Sequence, residues 1–394
     1  MSARKSGYSL LYIFMSFVVG CILAGIVAVT LSKPSPKTPA VPGQTSDAEA
    51  TAEGEEDVIA FDPALMMPSW NADSRTLAKL VDYVEDVCNP ASRNYVEPAD
   101  RIATFDMDGT VLCEKAPVYV DYCMLMHRVL EDPSYEADAE TIAALQQIRA
   151  NADQGFVDGD LNDAKNSALV KAFAGMTQAE FADYVTNFID TTEAEGFSGM
   201  VYGQSFYHPM AEVINYLRAH EFNVYFVSAS EREVARAIVA YGLGFEPDHV
   251  IGTDIVFAAT GQGDTAPSDY TVTQDDELVL TAEMLPEVGK GNKVVYIQRE
   301  IGKRPILAFG NSSGDFAMLN YAQGNPEHKG MGVLIVADDT VREYGEERKA
   351  ASMREEADGE GWLAVSMRDD WATIYGEGVE KTALPADLGL ADAA

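Results

Sequence analysis

Asp106 and Asp108 stand one residue apart at the end of the apolar run Arg101–Phe105, and Gly109 and Thr110 follow them. Side chains two apart on an extended segment point to the same side, so the two carboxylates face one point. Such a pair can bind a hard cation such as Mg²⁺, and the repulsion between them separates their titrations and hence their roles. Ser228 ends a second apolar run, FNVYFV, just before a helical pattern. A hydroxyl there can donate to a phosphate oxygen, with Ser230 serving as the cap of the helix and leaving Ser228 free. Lys290 and Lys293 open another helical pattern after Gly289; either can neutralise a bound phosphate, and Lys293 lies within the pattern itself. Asn311, Ser312 and Asp315 form a polar, glycine-rich turn after the run PILAF, suited to complete a metal site facing the first. Each feature alone has a plainer explanation: an Asx turn, a helix cap, a solvated lysine.

The elements that must position these residues alternate. Strands are expected at Arg101–Phe105, Phe222–Val227, Pro305–Phe309, Gly332–Val336 and Trp362–Val365. Helices are expected at Ser74–Val87, Pro209–His220, Glu231–Tyr241 (stopped by Gly242) and Lys293–Ile301. Four more, Tyr119–Leu130, Ala137–Ala150, Leu161–Phe173 and Gln178–Asp190, follow one another with no strand between them. The pattern predicts an α/β fold, a Rossmann-like parallel sheet with a helical block inserted after the first motif-bearing strand. In open parallel sheets ligands bind beyond the C-terminal ends of the strands, where all four motifs fall.

The chain has 394 residues, 28 Lys+Arg against 63 Asp+Glu, and a net charge of −35. That balance argues against nucleic acid as a partner, because phosphate backbones attract basic faces. With 47% hydrophobic residues it has material for a large core. Four cysteines, at 21, 88, 113 and 123, are too few for a disulfide framework and form no metal-ligand spacing. After Arg4 and Lys5 no charge appears until Lys33. The apolar run between exceeds the ~18 residues that suggest a spanning helix. Val18-Val19-Gly20-Cys21 also has the form of a lipidation signal, although the apolar run continues past Cys21. The expected organisation is therefore an anchor or lipoprotein-type signal at 1–32 and a tether rich in Pro and acidic residues at 33–57. An α/β core follows, built from 58–113 and 200–394, with a helical cap at 114–199. A single-pass or lipid-anchored protein of the cell membrane, with its catalytic part outside the cytoplasm, is the expected location; a cleaved export signal is the further possibility.

The four motifs in this order, in RIATFDMDGTVLCE, VYFVSASERE, DHVIGTDI and ILAFGNSSGDFAML, resemble the haloacid dehalogenase-like (HAD) superfamily. The likeness is to its phosphatase branch, near phosphoserine phosphatase and phosphorylcholine phosphatase. It covers roughly Arg101 to Asp315. The resemblance implies that Asp106 is a nucleophile forming an aspartyl-phosphate and that Asp108 is the general acid and base. It implies that Ser228 and Lys293 clamp the phosphate, that Thr110 orders the loop, and that Mg²⁺ is held by Asp106, Asp315 and the backbone carbonyl of Asp108. Many members carry Asp where Asn311 stands, which removes one charge here. The dehalogenase branch lacks a second carboxylate, since a halide leaves without a proton; Asp108 thus favours a phosphate ester.

The expected partner is a small phosphorylated substrate. Glu114, with Tyr119 and Tyr122 close behind it, could receive a cationic head group; ordinary packing tyrosines in a cap helix are the plainer account. Two other functions fit the same residues. One is a phosphotransferase or phosphomutase of the same superfamily, and the other a catalytically idle surface protein on this scaffold.

Overall fold

A computed structural model describes residues 63–151 and 159–383. The expected anchor and tether at 1–32 and 33–57 lie outside the described residues. Among the described residues no helix is long and apolar enough to cross a membrane.

The core is a six-stranded sheet. Its strands are β1 (Ile102–Phe105), β2 (Asn223–Glu231) and β3 (Val250–Thr253), followed by β6 (Leu307–Gly310), β7 (Met331–Val336) and β8 (Leu363–Ser366). Between β3 and β6 an antiparallel pair stands outside the sheet, β4 (Ile255–Ala259) and β5 (Leu278–Met284). The sheet order is β3-β2-β1-β6-β7-β8 and every pairing in it is parallel. β1 and β6 are buried along their whole length, as strands covered on both faces must be. Register places Phe105 beside Phe226 on one side and Phe309 on the other. The Phe105 and Phe309 rings stack with centroids 4.2 Å apart. This aromatic layer lies one residue short of Asp106.

Helix α1 (Arg75–Cys88) precedes β1, its N-terminus capped by the Ser74 hydroxyl, which accepts from the Leu77 amide. The helical insert that follows β1 carries α2 (Val120–Met126), α3 (Ala139–Asn151), α4 (Gly159–Phe173) and α5 (Gln178–Thr191). A complete capping box between Thr177 and Glu180 starts α5. The sheet's crossover helices are α6 (His208–Ala219), α7 (Arg232–Leu243), α8 (Gly291–Glu300), α9 (Phe316–Gln323) and α10 (Glu347–Glu360).

Three expectations are corrected. The second strand does not stop at Val227. It continues to Glu231 through a bulge, because Val227 pairs with Ile251 while Glu231 pairs with Thr253. Glu231, not Ser230, caps α7, its carboxylate accepting from the Val234 amide at 2.8 Å. The helix then runs past Gly242 to Leu243, where Gly244 takes the left-handed conformation that ends it. The β4–β5 pair was not expected from the sequence. It joins the helical insert rather than the sheet: Gly175 donates to the Leu280 carbonyl, and the Leu280 amide to Met176, both at 2.8 Å.

The C-terminal segment closes beneath the motif loop. Glu343 is buried and accepts from the Tyr344 amide at 2.7 Å, from the Tyr375 hydroxyl, and from the Cys113 thiol at 3.8 Å. Burial pushes its carboxyl up to about 7. A carboxyl raised in the folded state stabilises it fully below the ordinary carboxyl range, and that contribution disappears as pH rises through about 7. The shift corresponds to a penalty on the order of 3 kcal/mol at high pH. Glu343→Gln should therefore melt at a higher temperature than wild type at pH 8, with the gap closing towards pH 5. Calorimetry at the two pH values checks this; a gap independent of pH rules out the carboxyl as its source.

Candidate active site

β1 delivers Asp106 to the C-terminal edge of the sheet, where its amide makes the last link to the neighbouring strand, 2.9 Å to the Phe309 carbonyl. The chain then turns on Gly109, whose φ of +79° favours glycine. The turn brings the Thr110 hydroxyl back to donate to Asp106 Oδ2 at 2.9 Å, which ties the loop to its first carboxylate. A Cβ on Gly109 would meet Asn311 Nδ2 at 1.9 Å. The two motif loops thus touch where glycine alone leaves room.

Lys293 holds the site together from the first turn of α8. Its ammonium donates to Asp106 Oδ1 at 2.6 Å and to the Val227 carbonyl at 2.7 Å, and lies 2.7 Å from Asp315 Oδ1. Asp315 Oδ2 accepts from the amides of Asn311 and Ser312, each at 3.1 Å, and from the Ser312 hydroxyl at 3.2 Å. Burial pushes Asp106 up to about 6, and the charge of Asp315 adds to it against the pull of Lys293. Burial lowers Lys293, but Asp106 and Asp315 outweigh it and hold the ammonium above its ordinary range. Asp108 is raised well above the usual carboxylate range, first by burial and then by the charges of Asp121 and Asp106. Its Oδ2 accepts from the Ser230 hydroxyl at 3.1 Å.

These groups line one cavity of about 240 Å³. Among the described residues, six buried side-chain polar atoms have no hydrogen-bond partner. Three of them, Asp108 Oδ1, Glu231 Oε1 and Asn311 Nδ2, belong to residues of this cavity wall. Unpaired buried polar atoms are costly, so three residues that carry one on the same wall suggest a place built for a ligand. Asp106 and Asp315 share one ammonium and Asp108 adds a third carboxyl to the same cavity, and a hard cation would suit that surplus. Among the described residues no three His, Cys, Asp or Glu side chains are grouped to hold a metal by themselves. Two carboxylates completed by the Asp108 carbonyl need no third side chain.

Most of the expected residues meet here. Asp106, Asp108, Lys293, Asn311 and Asp315 all line the cavity, as do Glu114, Tyr119 and Tyr122. Lys290 lines it too, but Lys293 is the lysine in contact with Asp106. Ser228 differs: it is buried, it accepts from the Ser230 amide at 3.1 Å, and it is not among the lining residues. The bulge in β2 presents Ser230 to the cavity in its place. The cation-receiving features are already engaged by the protein's own lysines: Lys165 lies 4.5 Å from the centre of the Tyr122 ring and Lys349 lies 3.5 Å from Glu114. Sequence reasoning missed Ser230, Glu231, Asn162, Lys165 and Asn166. The last three recur at helical spacing on α4, a signal that was present but does not differ from a solvated helix face.

The geometry can be set beside known proteins. A family model described as haloacid dehalogenase-like hydrolase matches residues 103–320, more than half of the chain. The chain belongs to the haloacid dehalogenase-like (HAD) hydrolase family. No curated protein matches it significantly. A HAD family hydrolase from Salmonella enterica serovar Typhi is similar at 17% identity over 70% of this chain and 69% of that one, with a TM-score of 0.36. A phosphoserine phosphohydrolase-like protein from Francisella tularensis is similar at 11% identity over 64% and 92%, TM-score 0.34. A Bordetella pertussis protein is similar at 16% identity over 67% and 97%, TM-score 0.42. At such identities and TM-scores these likenesses say nothing of this HAD hydrolase's substrate.

The contact between the motif loops gives a test. Gly109→Ala meets both the left-handed backbone, costing roughly 1–2 kcal/mol, and the Asn311 amide. Its loss of stability in urea melts should shrink to the backbone cost alone when Asn311→Ala is added, since contacting residues are not additive. Equal losses in both backgrounds would show that the loops do not touch.

Proposed function

We propose that this HAD hydrolase is a Mg²⁺-dependent phosphomonoesterase that works through an aspartyl-phosphate. The observation that carries the reading is Asp108. It stands two residues after the nucleophile candidate, with one oxygen held by Ser230 and the other unpaired on a cavity wall. An alkoxide leaving group needs a proton, and a second carboxyl beside the nucleophile supplies it.

Asp106 Oδ1 or Oδ2 attacks phosphorus in line, and the P–O bond to the alcohol breaks as Asp108 delivers a proton to the departing oxygen. Asp108, now ionised, takes a proton from water as that water attacks the aspartyl-phosphate. Inorganic phosphate leaves and Asp106 is regenerated. Lys293 holds Asp106 in place and offsets charge on the transferred group's oxygens. Ser230 and Asn311 line the same cavity and offer further hydrogen bonds. Bound to Asp106, Asp315 and the Asp108 carbonyl, Mg²⁺ would supply charge that screens nucleophile from phosphate. The apolar run before Lys33 and the tether after it support placing this chemistry outside the cytoplasmic membrane. Protease shaving of intact cells, with release of the catalytic part as the expected outcome, tests that location.

The full chain purified in detergent should release phosphate from a panel of monophosphates. Activity should vanish with EDTA, return with Mg²⁺, and fall at least ~10³-fold in Asp106→Asn. Asp108→Asn should lower kcat/KM, which reports the alcohol-releasing step and not the later hydrolysis, by ~10²–10⁴ for alkyl phosphates and far less for aryl phosphates, because a phenolate leaves without an acid. An Asp108→Asn variant that loses both substrates equally removes the acid role. Turnover that survives Asp106→Asn removes the nucleophile.

A further inference from the structure

Part of the cavity wall comes from the helical insert, and the mechanism above does not use it. Asn162, Lys165 and Asn166 stand at i, i+3 and i+4 on α4, one face of the helix, and all three line the cavity. Lys165 is 5% exposed, a buried cation fixed by Asp121 Oδ2 at 2.9 Å. Asp121 is itself buried, and its Oδ1 accepts from the Tyr122 amide. The Tyr122 hydroxyl donates to Asn162 Oδ1 at 2.6 Å, which leaves the Asn162 amide nitrogen as its donor. The Asn166 amide has no partner among the described residues. A lysine with one of three N–H groups committed, and two amides beside it, make a wall of donors.

Resting on the phosphomonoesterase reading, we propose that Asn162, Lys165 and Asn166 are the leaving-group subsite, and that the substrate's alcohol is small and oxygen-rich. The phosphate end meets Lys293, Ser230 and Asn311; the other end must satisfy donors, which hydroxyl or carboxylate oxygens do and an alkyl ammonium does not. A cationic head would meet Lys165 in front of the Tyr122 ring, the place a cation–π contact requires. A cavity of about 240 Å³ suits a small alcohol.

The test measures kcat/KM of the full chain on glycerol 1-phosphate, 3-phosphoglycerate, phosphocholine and phenyl phosphate. The readout is the ratio of each value to that for ethyl phosphate, measured alongside, an alkyl ester that needs the same acid and carries no oxygen beyond the ester. Wild type should favour one of the two oxygen-bearing esters; glycerol phosphate identifies hydroxyl recognition and phosphoglycerate carboxylate recognition. That ratio should fall about tenfold or more in Asp121→Asn/Lys165→Met, a double variant that leaves no unpaired buried charge, and severalfold in Asn166→Ala. A ratio unchanged in both variants, whatever the absolute rates, makes the α4 face structural and overturns the proposal. So does a wild-type preference for phosphocholine. If wild type releases no phosphate even from phenyl phosphate, the phosphomonoesterase reading itself has failed and the subsite falls with it.

Discussion

One buried ammonium organises the centre of this protein. Lys293 lies within 2.7 Å of oxygens from Asp106, Asp315 and the Val227 carbonyl, three points carried by the loop after β1, the loop after β6 and the middle of β2. Two carboxylates buried side by side repel each other strongly, and without a cation between them one would take up a proton or the loops would part. The aromatic layer of Phe105, Phe226 and Phe309 makes the ground beneath them apolar, which strengthens the attraction and the repulsion alike. The remaining architecture follows from that demand. α8 must start where its first turn reaches the sheet edge, and the loops after β1 and β6 must come close enough to share the lysine.

The parts legible from the sequence were those governed by local rules. Buried parallel strands read as short apolar runs, so β1, β6, β7 and β8 were found within a residue or two. The acid pair, the lysine and the turn at Asn311–Asp315 were legible as candidates because polar residues just past apolar runs stand out, and the fold brings them to one cavity. The Ser228 expectation shows where such rules stop. A serine at the end of an apolar run reads as the strand's last residue, but β2 bulges and continues to Glu231, and the bulge turns Ser230 to the cavity. A bulge leaves almost no trace in composition. Pairing with Thr253 on β3, a partner supplied by the tertiary fold, decides it.

The β4–β5 pair was illegible for a related reason. β4, IVFAA, is a five-residue apolar run, and β5, LVLTAEM, comes only after a long polar segment, so no hairpin spacing joins the two in the sequence. What makes them strands is the edge offered by the insert, through Gly175, Met176 and Leu280. The α4 face was visible as a spacing of Asn, Lys and Asn, yet periodicity alone does not tell a face turned to water from one turned to a cavity. The helical insert and the hairpin are joined by backbone hydrogen bonds, and the hairpin runs on through Met284 and Glu287, both on the cavity wall, towards Lys290 and Lys293.

The strand order has a consequence for the newly made chain. β1 lies inside the sheet, yet its two neighbours are β2 and β6, and β6 begins only at Leu307. A ribosome delivers Asp106 and Asp108 long before it delivers the lysine and the third carboxylate that complete their surroundings. Until the segment through Asp315 has emerged, the first motif is an acidic loop on an unpaired strand edge, with no cation of its own. Closing such distant pairings is slow compared with forming local helices. The nascent protein therefore has its insert helices in hand early and its chemistry last, and no shorter product of interrupted translation carries a complete centre.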